Sequence, residues 1–184
     1  MIKTSLLKQF INDPKNTGSL LPSSRYLISE MTEIICEDDS VVELGFGDGC
    51  ITKNIVLKKC SYVGVYDNNE YFINNLKMLN ILPETHIMTD AFDINRKHAL
   101  HSLDVVVSSL PLVNFSYSKR LELISKISSV LKYNGKFVMF SYKFKFPLND
   151  EDLKAIGMEI VSKKIVWRNF PPAMLFVMIK KEVP

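Results

Sequence analysis

The 184-residue chain predicts a doubly wound α/β domain: a mostly parallel sheet of seven strands, helices on both faces, and an antiparallel C-terminal edge. Three observations carry this. Short apolar runs alternate with stretches of helical periodicity from Val41 onward. The first run, Val41-Val42-Glu43-Leu44, breaks into three glycines at alternate positions, Gly45, Gly47 and Gly49. The last two runs, at 159–167 and 173–179, have no helix-length segment between them and so read as an antiparallel pair at one edge.

The elements follow in order. Ile2, Leu6, Leu7, Phe10 and Ile11 form a helical stripe beside Lys3 and Lys8, stopped by Asn12-Asp13-Pro14. Pro22-Ser23-Ser24 reads as a turn and N-cap for a second helix over 25–35. The first strand ends at the glycines, and a helix over 51–57, a strand over 62–66 and a helix over 70–80 succeed it. A short strand at 86–88 leads into a long connection containing Asp90-Ala91-Phe92-Asp93. Then come a strand over 104–108, a helix over 118–131 with Asn134-Gly135 as its C-cap, and a strand over 136–142. A short helix over 150–156 precedes the final pair. There is no repeat or linker, so the expectation is one domain over 1–184. In it, residues 1–37 form N-terminal helices serving as a lid or a membrane contact, and 38–184 form the ligand-binding core.

Hydrophobic content of 47% with 23% charged residues is that of a soluble globular chain and excludes disorder. The longest C-terminal apolar stretch, 173–179, is too short to span a bilayer, and no apolar segment of a secretory leader follows Lys3 and Lys8. Cys36, Cys50 and Cys60 form no CxxC pair and read as reduced thiols, which suits a cytoplasmic protein. The net charge of +3 is uneven: residues 1–25 carry +3, residues 132–184 carry +5, and the segment between carries −5. Basic ends suit an anionic partner, lipid headgroups or nucleic acid. His98 and His101, three residues apart, read as a solvated loop rather than a metal site; Trp167 and the Met and Phe side chains of 137–146 read as sheet core. Phe144 and Phe146, interleaved with Lys143 and Lys145, are alternatively a basic aromatic edge.

Ligands of a doubly wound sheet bind beyond the carboxyl ends of its strands, where the strand order reverses. The glycine run lies at such an end. A carboxylate, Glu43, just before it fits a cationic or hydroxyl-rich nucleoside better than a triphosphate. A ribose-binding acid is expected about 20 residues on, at the end of the next strand. Asp67 lies there, directly after Tyr62-Val63-Gly64-Val65-Tyr66, and Asp90-Ala91-Phe92 follows the third strand.

The order E-x-G-x-G-x-G, acidic strand end, D-A-F and then Ser108-Ser109-Leu110-Pro111 resembles the class I S-adenosylmethionine-dependent methyltransferases, which have a Rossmann-like fold. The resemblance implies S-adenosyl-L-methionine as cofactor. Glu43, Gly45, Gly47 and Gly49 would lie at its methionine part, Asp67 or alternatively Tyr66 at the ribose, Asp90 with Ala91 at the adenine, and Ser108 would complete the set. Four further pieces, LKQFINDPKNTGSLLPSS, SSLPLVNF, GKFVMFSY and VWRNFPPA, are similar to bacterial phospholipid N-methyltransferases, themselves related to rRNA adenine dimethyltransferases. That similarity implies methylation of phosphatidylethanolamine and its methylated derivatives towards phosphatidylcholine, by a protein peripheral to the inner face of the membrane. Adenine methyltransferases place Asn or Asp before Pro-Pro-aromatic or Leu-Pro-aromatic; here Ser109 and Leu112 stand instead, which suits an aliphatic amine. Ser109, Tyr26 and Tyr142 are candidates for orienting that amine, and Leu110, Pro111, Asn114, Arg168 and Asn169 for the substrate side. Residues 1–12 are the candidate membrane contact. The alternatives are an adenine methyltransferase acting on nucleic acid and a non-catalytic cofactor-binding module.

Overall fold

The computed structural model describes residues 23–78, 85–88 and 90–182. Among these residues seven strands form one sheet: β1 (Ser40–Leu44), β2 (Tyr62–Tyr66), β3 (Thr85–Met88), β4 (Leu103–Ser108), β5 (Leu131–Ser141), β6 (Met158–Val166) and β7 (Ala173–Lys180). Their order is β3-β2-β1-β4-β5-β7-β6. The first five are parallel to one another, whereas β7 is antiparallel to both β5 and β6 and lies between them. The expected architecture is thus present, with the C-terminal strand inserted one place in from the edge.

The sheet is covered on both faces because its strands are apolar on both. On one face, Val41, Val63, Val65, Val105 and Val107 pack under α1 (Arg25–Thr32) and α2 (Cys50–Val56), with Ile73 of α3 (Glu70–Met78). On the other, Val42, Leu44, Val106, Phe137 and Met139 meet α4 (Ile94–Lys97), α5 (Tyr117–Val130) and α6 (Asp150–Ala155) through Ile94, Leu123, Ile124, Ile127 and Leu153. Burying each such side chain contributes about 1.5–3 kcal/mol. The order reverses at β1, flanked by β2 and β4: the chain leaves β1 for the α2 face and β4 for the α5 face, which opens a crevice between the two strand ends.

Several local expectations change. The helix expected over 25–35 stops at Thr32, although Ile35 remains buried. Thr32 Oγ1 donates back to Ile28 O at 3.0 Å, a bond that satisfies its buried hydroxyl. The connection after Asp90 is not wholly irregular: Ala91–Asp93 forms a 3-10 turn that runs into α4. Asn134-Gly135 does not cap α5. That helix turns extended at Leu131 (φ −70°, ψ 135°) and passes straight into β5. Asn134, at φ 63°, and Gly135 instead absorb a register jump in which Leu103 faces Leu131 but Val105 faces Lys136. Trp167, expected in the core, is 71% exposed. Phe146 is buried but Phe144 is not, so the proposed aromatic edge is half core. The stripe over 2–11, its stop at 12–14 and the residues at 79–84 lie outside the described residues. Among the described residues no helix is long and apolar enough to cross a membrane.

At Gly135 an added Cβ would lie 2.8 Å from Lys132 O and 3.2 Å from the carbonyls of Leu103 and Asp104. All three are backbone atoms and yield little. Gly135→Ala is therefore expected to lower stability by about 1–3 kcal/mol in urea unfolding.

Candidate active site

The loop after β1 is shaped by glycines in the left-handed region: Gly45 at φ 78°, Gly47 at φ 52° and Gly49 at φ 76°. Gly45 N and Phe46 N both donate to Tyr66 O, at 2.7 and 3.3 Å, which ties the loop to the end of β2. Gly49 N closes a turn on Phe46 O at 2.8 Å, and Gly49 is the N-cap of α2. The first two glycines serve different ends. A Cβ at Gly45 would meet Leu110 Cδ2 at 2.8 Å and Ser109 Oγ at 3.1 Å, so this residue is glycine to admit the turn after β4. A Cβ at Gly47 would meet nothing within 4 Å, so this part of the loop faces open space.

Two carboxylates flank the loop in different environments. Glu43 is fully buried on the α2 side of β1, where Thr52 Oγ1 donates to its Oε2 at 2.6 Å and Oε1 has no hydrogen-bond partner among the described residues. Burial pushes its carboxyl up to about 8; the Thr52 bond opposes that, and Asp48 and Asp67 add to it. Asp67 is half-buried just past the end of β2. Its Oδ2 accepts from Gly47 N at 3.0 Å and its Oδ1 from Asn69 N at 2.9 Å. Tyr66, the alternative ribose contact, points the other way: it is 1% exposed in the core beneath α4, and burial raises its phenol. The strand ends at Tyr66, so the backbone turn frees Asp67 from the strand's alternation and returns its carboxylate to the crevice.

Asp90 is exposed and caps the 3-10 turn, accepting from Phe92 N at 2.8 Å through Oδ1. Ala91 is half-buried against the α5-side core. Beside it the Phe92 and Phe115 rings lie 6.0 Å apart, and Lys126 Nζ donates to Phe92 O at 3.0 Å.

The turn after β4 closes the opposite wall. Ser108 is buried, and its Oγ accepts from Leu110 N at 3.3 Å. Ser109 N donates to Leu44 O at 3.0 Å, and its hydroxyl donates to Gly45 O, so this turn and the glycine loop form one hydrogen-bonded unit. Ser109 was expected to orient a substrate amine; its proton is instead held by the loop, which leaves its lone pairs to accept. Leu110 packs on Gly45, Pro111 is exposed, and Leu112 is buried in the core. Asn114 Nδ2 is buried without a hydrogen-bond partner among the described residues, a donor held in reserve at the base of the turn.

A further group gathers at the start of α1. Arg25 and Arg168 both lie over the Tyr26 ring, 4.9 and 5.0 Å from its centroid, and Arg25 Nη2 donates to Tyr26 OH at 2.9 Å. Tyr142 is bonded to Asn169 and its phenol is raised by burial. Asn169 was expected on the substrate side but is 3% exposed: Oδ1 accepts from Ser24 N at 2.9 Å and Nδ2 donates to Pro171 O at 2.7 Å. Its amide is committed to fastening the β6–β7 loop to α1, which makes it a support and not a ligand contact. His98 and His101 are apart in role, the first beside the Tyr62 and Tyr66 rings and the second stacked on Tyr133.

Sequence reasoning missed Thr52 and Arg25. A hydroxyl one turn into α2, able to reach back to Glu43, was the available signal for Thr52. Arg25 carried none, because its meeting with Arg168 joins opposite ends of the chain.

No protein-family model matches the chain, and no curated protein sequence matches it. Solved structures do. The Burkholderia thailandensis 1,6-didemethyltoxoflavin-N1-methyltransferase, bound to 1,6-didemethyltoxoflavin and S-adenosylhomocysteine, aligns with a TM-score of 0.68 at 13% identity, covering 98% of this chain and 88% of that one. The N-methyltransferase NodS of Bradyrhizobium japonicum WM9 aligns at 0.64 and 14%, over 86% and 95%. The [4+2]-cyclase SpnF aligns at 0.66 and 13%, over 85% and 79%. These likenesses establish the Rossmann-like fold of the S-adenosylmethionine-dependent methyltransferases. A cyclase among them shows that the fold does not fix the reaction.

The raised carboxyl of Glu43 gives a testable pH dependence. A proton held more tightly in the folded state stabilises it; that contribution is full below about pH 4.5 and is lost as pH rises through about 8. Glu43→Gln, which mimics the protonated acid, is expected to flatten this decline. Melting temperatures of both proteins between pH 5 and 9 check it: the wild type should fall relative to the variant as pH rises.

Proposed function

We propose that the protein is an S-adenosylmethionine-dependent N-methyltransferase whose substrates are phosphatidylethanolamine and its methylated derivatives. The observation that carries the cofactor is the open space at Gly47, with Asp67 on one side, buried Glu43 beneath and the Ser108–Pro111 turn opposite. The residues fit the group. Asp67 keeps acceptor capacity for ribose hydroxyls while fixing the loop, and Asp90 stands at the end of β3 for the adenine. Glu43 places an unsatisfied acceptor under the loop, where a cationic ligand lowers the cost of ionising it.

When bound, this cofactor supplies a methyl group on an already activated sulfonium. The chain then has only to place a neutral amine in line and exclude water, and well-oriented reactions gain about 7–11 kcal/mol in this way. Ser109 accepts from an N–H of the primary or secondary amine, Leu110 and Pro111 present an apolar wall, and Asn114 offers a donor. The substrate ammonium loses its proton to water before the transfer, and the backbone carbonyls of the turn hold the resulting amine. Tyr26 and Tyr142 stand further out, each with its hydroxyl engaged. Arg168 faces the phosphate of a lipid headgroup. Residues 1–12, with their apolar stripe and two lysines, rest on the membrane surface from the cytoplasmic side.

The turn after β4 favours lipid over nucleic acid as the substrate. Ser109 stands where an amide or acid would orient an adenine amine, and Leu112 is enclosed in the core rather than offered to a base. Incubation with cofactor labelled in its methyl group, together with mixed lipid vesicles and RNA, tests the proposal: label is expected in phosphatidylethanolamine products. Label in RNA alone overturns the substrate, and binding without turnover in any pool reduces the protein to a cofactor-binding module. Asp67→Ala should weaken S-adenosylhomocysteine binding by roughly ten-fold or more in calorimetry, the loss of hydrogen bonds to a charged acceptor.

A further inference from the structure

The loops after β5 and β6 open at the same end of the sheet as the glycine loop. β5 and β6 run parallel to β4, and the register sets Ser141 beside Met174 and Val166 beside Ala173. Three large apolar side chains stand out from these loops: Trp167 is 71% exposed, Phe170 77% and Phe144 57%. An apolar side chain in water on one loop needs no explanation; three aromatics on two adjoining loops at the mouth of a site do.

Four cations share this rim. Arg25 and Arg168 converge on the Tyr26 ring, so their guanidinium carbons are no further apart than the sum of their two distances to it. Lys143 and Lys145 are exposed on either side of Phe144. None of the four has an ion-pair partner among the described residues. The presentation is fixed: buried Asn169 fastens the loop to Ser24 and Pro171, and the exposed Trp167, Arg168 and Phe170 surround that anchor. The acids at this end, Asp48, Asp67, Glu70, Asp90 and Asp93, belong to the β1–β2–β3 half of the sheet. Those of α6, Asp150, Glu151 and Asp152, begin a helix on the face opposite α1.

We propose that this rim is the surface by which the protein docks on an anionic lipid bilayer, Trp167, Phe170 and Phe144 entering the headgroup layer while Arg25 and Arg168 engage lipid phosphates. The inference rests on the lipid reading above and deepens it, because it locates a contact on described residues of β5, β6 and α1 and the loops beside them. Aromatic rings sit well at the headgroup level, and guanidinium forks suit phosphate oxygens. Separate loop tips suit a deformable interface, whereas base stacking uses open ring faces; the ring of Tyr26 is already covered by guanidinium. The segregated charge orients the approach: the cationic half is drawn to an anionic surface and the acidic half is turned from it.

Trp167 is the only tryptophan in the chain, so its fluorescence reads this rim alone. With phosphatidylglycerol vesicles, its emission should shift to the blue and be quenched by lipids brominated near the headgroup, and added salt should weaken both effects. Trp167→Ala with Phe170→Ala should weaken association with those vesicles by roughly ten-fold or more, with S-adenosylhomocysteine binding unchanged. Unshifted emission from vesicle-bound protein, no vesicle association, or a shift with single-stranded RNA and none with vesicles overturns the proposal. These vesicles contain no phosphatidylethanolamine, so docking is read without methyl transfer. Transfer to detergent-dispersed phosphatidylethanolamine by the double variant tests the substrate reading alone.

Discussion

The absence of a side chain at Gly45 is the constraint on which the site depends. Two segments that leave the sheet toward opposite faces, the loop after β1 and the turn after β4, must pass each other at the strand-order reversal. They do so within contact distance only because Gly45 carries nothing but hydrogens, and Leu110 and Ser109 fill the space a Cβ would take. Once adjacent they are tied together: Ser109 bonds Leu44 and Gly45, the loop bonds Tyr66, and Asp67 bonds Gly47. β1, β2 and β4 thus share one terminal network, and any ligand in the crevice meets a preset wall on each side.

The electrostatic arrangement follows from that geometry. One acid is buried beneath the loop, and that burial pushes its carboxyl up; a second is pinned at its rim by backbone donors. The buried Glu43 is tolerable because Thr52 meets one oxygen and the other costs less when the group is neutral. Ten of the 23 lysines and arginines lie in residues 132–184, and Arg25 stands at the start of α1. Charge is therefore divided across a single end of the sheet, acids over β1 to β3 and cations over β5 to β6.

Much of this is legible in the sequence. The strand at 62–66 is found with the bounds expected for it, because β-branched and aromatic residues between Ser61 and Asp67 leave little freedom. The glycine spacing located the loop, since left-handed backbone has few other sources. The failures have physical causes. Asn134-Gly135 has the composition of a helix cap, but Leu131 is drawn into pairing with Leu103, so the left-handed residue is used in a bulge instead. Trp167, expected inside, stands outside, because the hairpin that carries it is fastened by buried Asn169 and turns the indole to solvent. Asn169 itself could not be told from a ligand residue, because the groups that satisfy it come from Ser24 and Pro171, one of them 145 positions away.

The place of β7 in the sheet also governs the order in which the domain can be assembled. β6 precedes β7 in the chain, yet among the described residues its only neighbour is β7, and the outer edge of β5 has no partner but β7. As the polypeptide emerges from the ribosome, β1 to β5 can associate as each is made, whereas β6 must wait unpaired until the strand beyond it is available. The insertion of β7 then completes two ladders at once and brings Asn169 to Ser24, so the rim and the start of α1 take shape together in the closing event. A nascent chain halted before Ala173 would hold the glycine loop and its acids but neither the edge of the sheet nor its aromatic border.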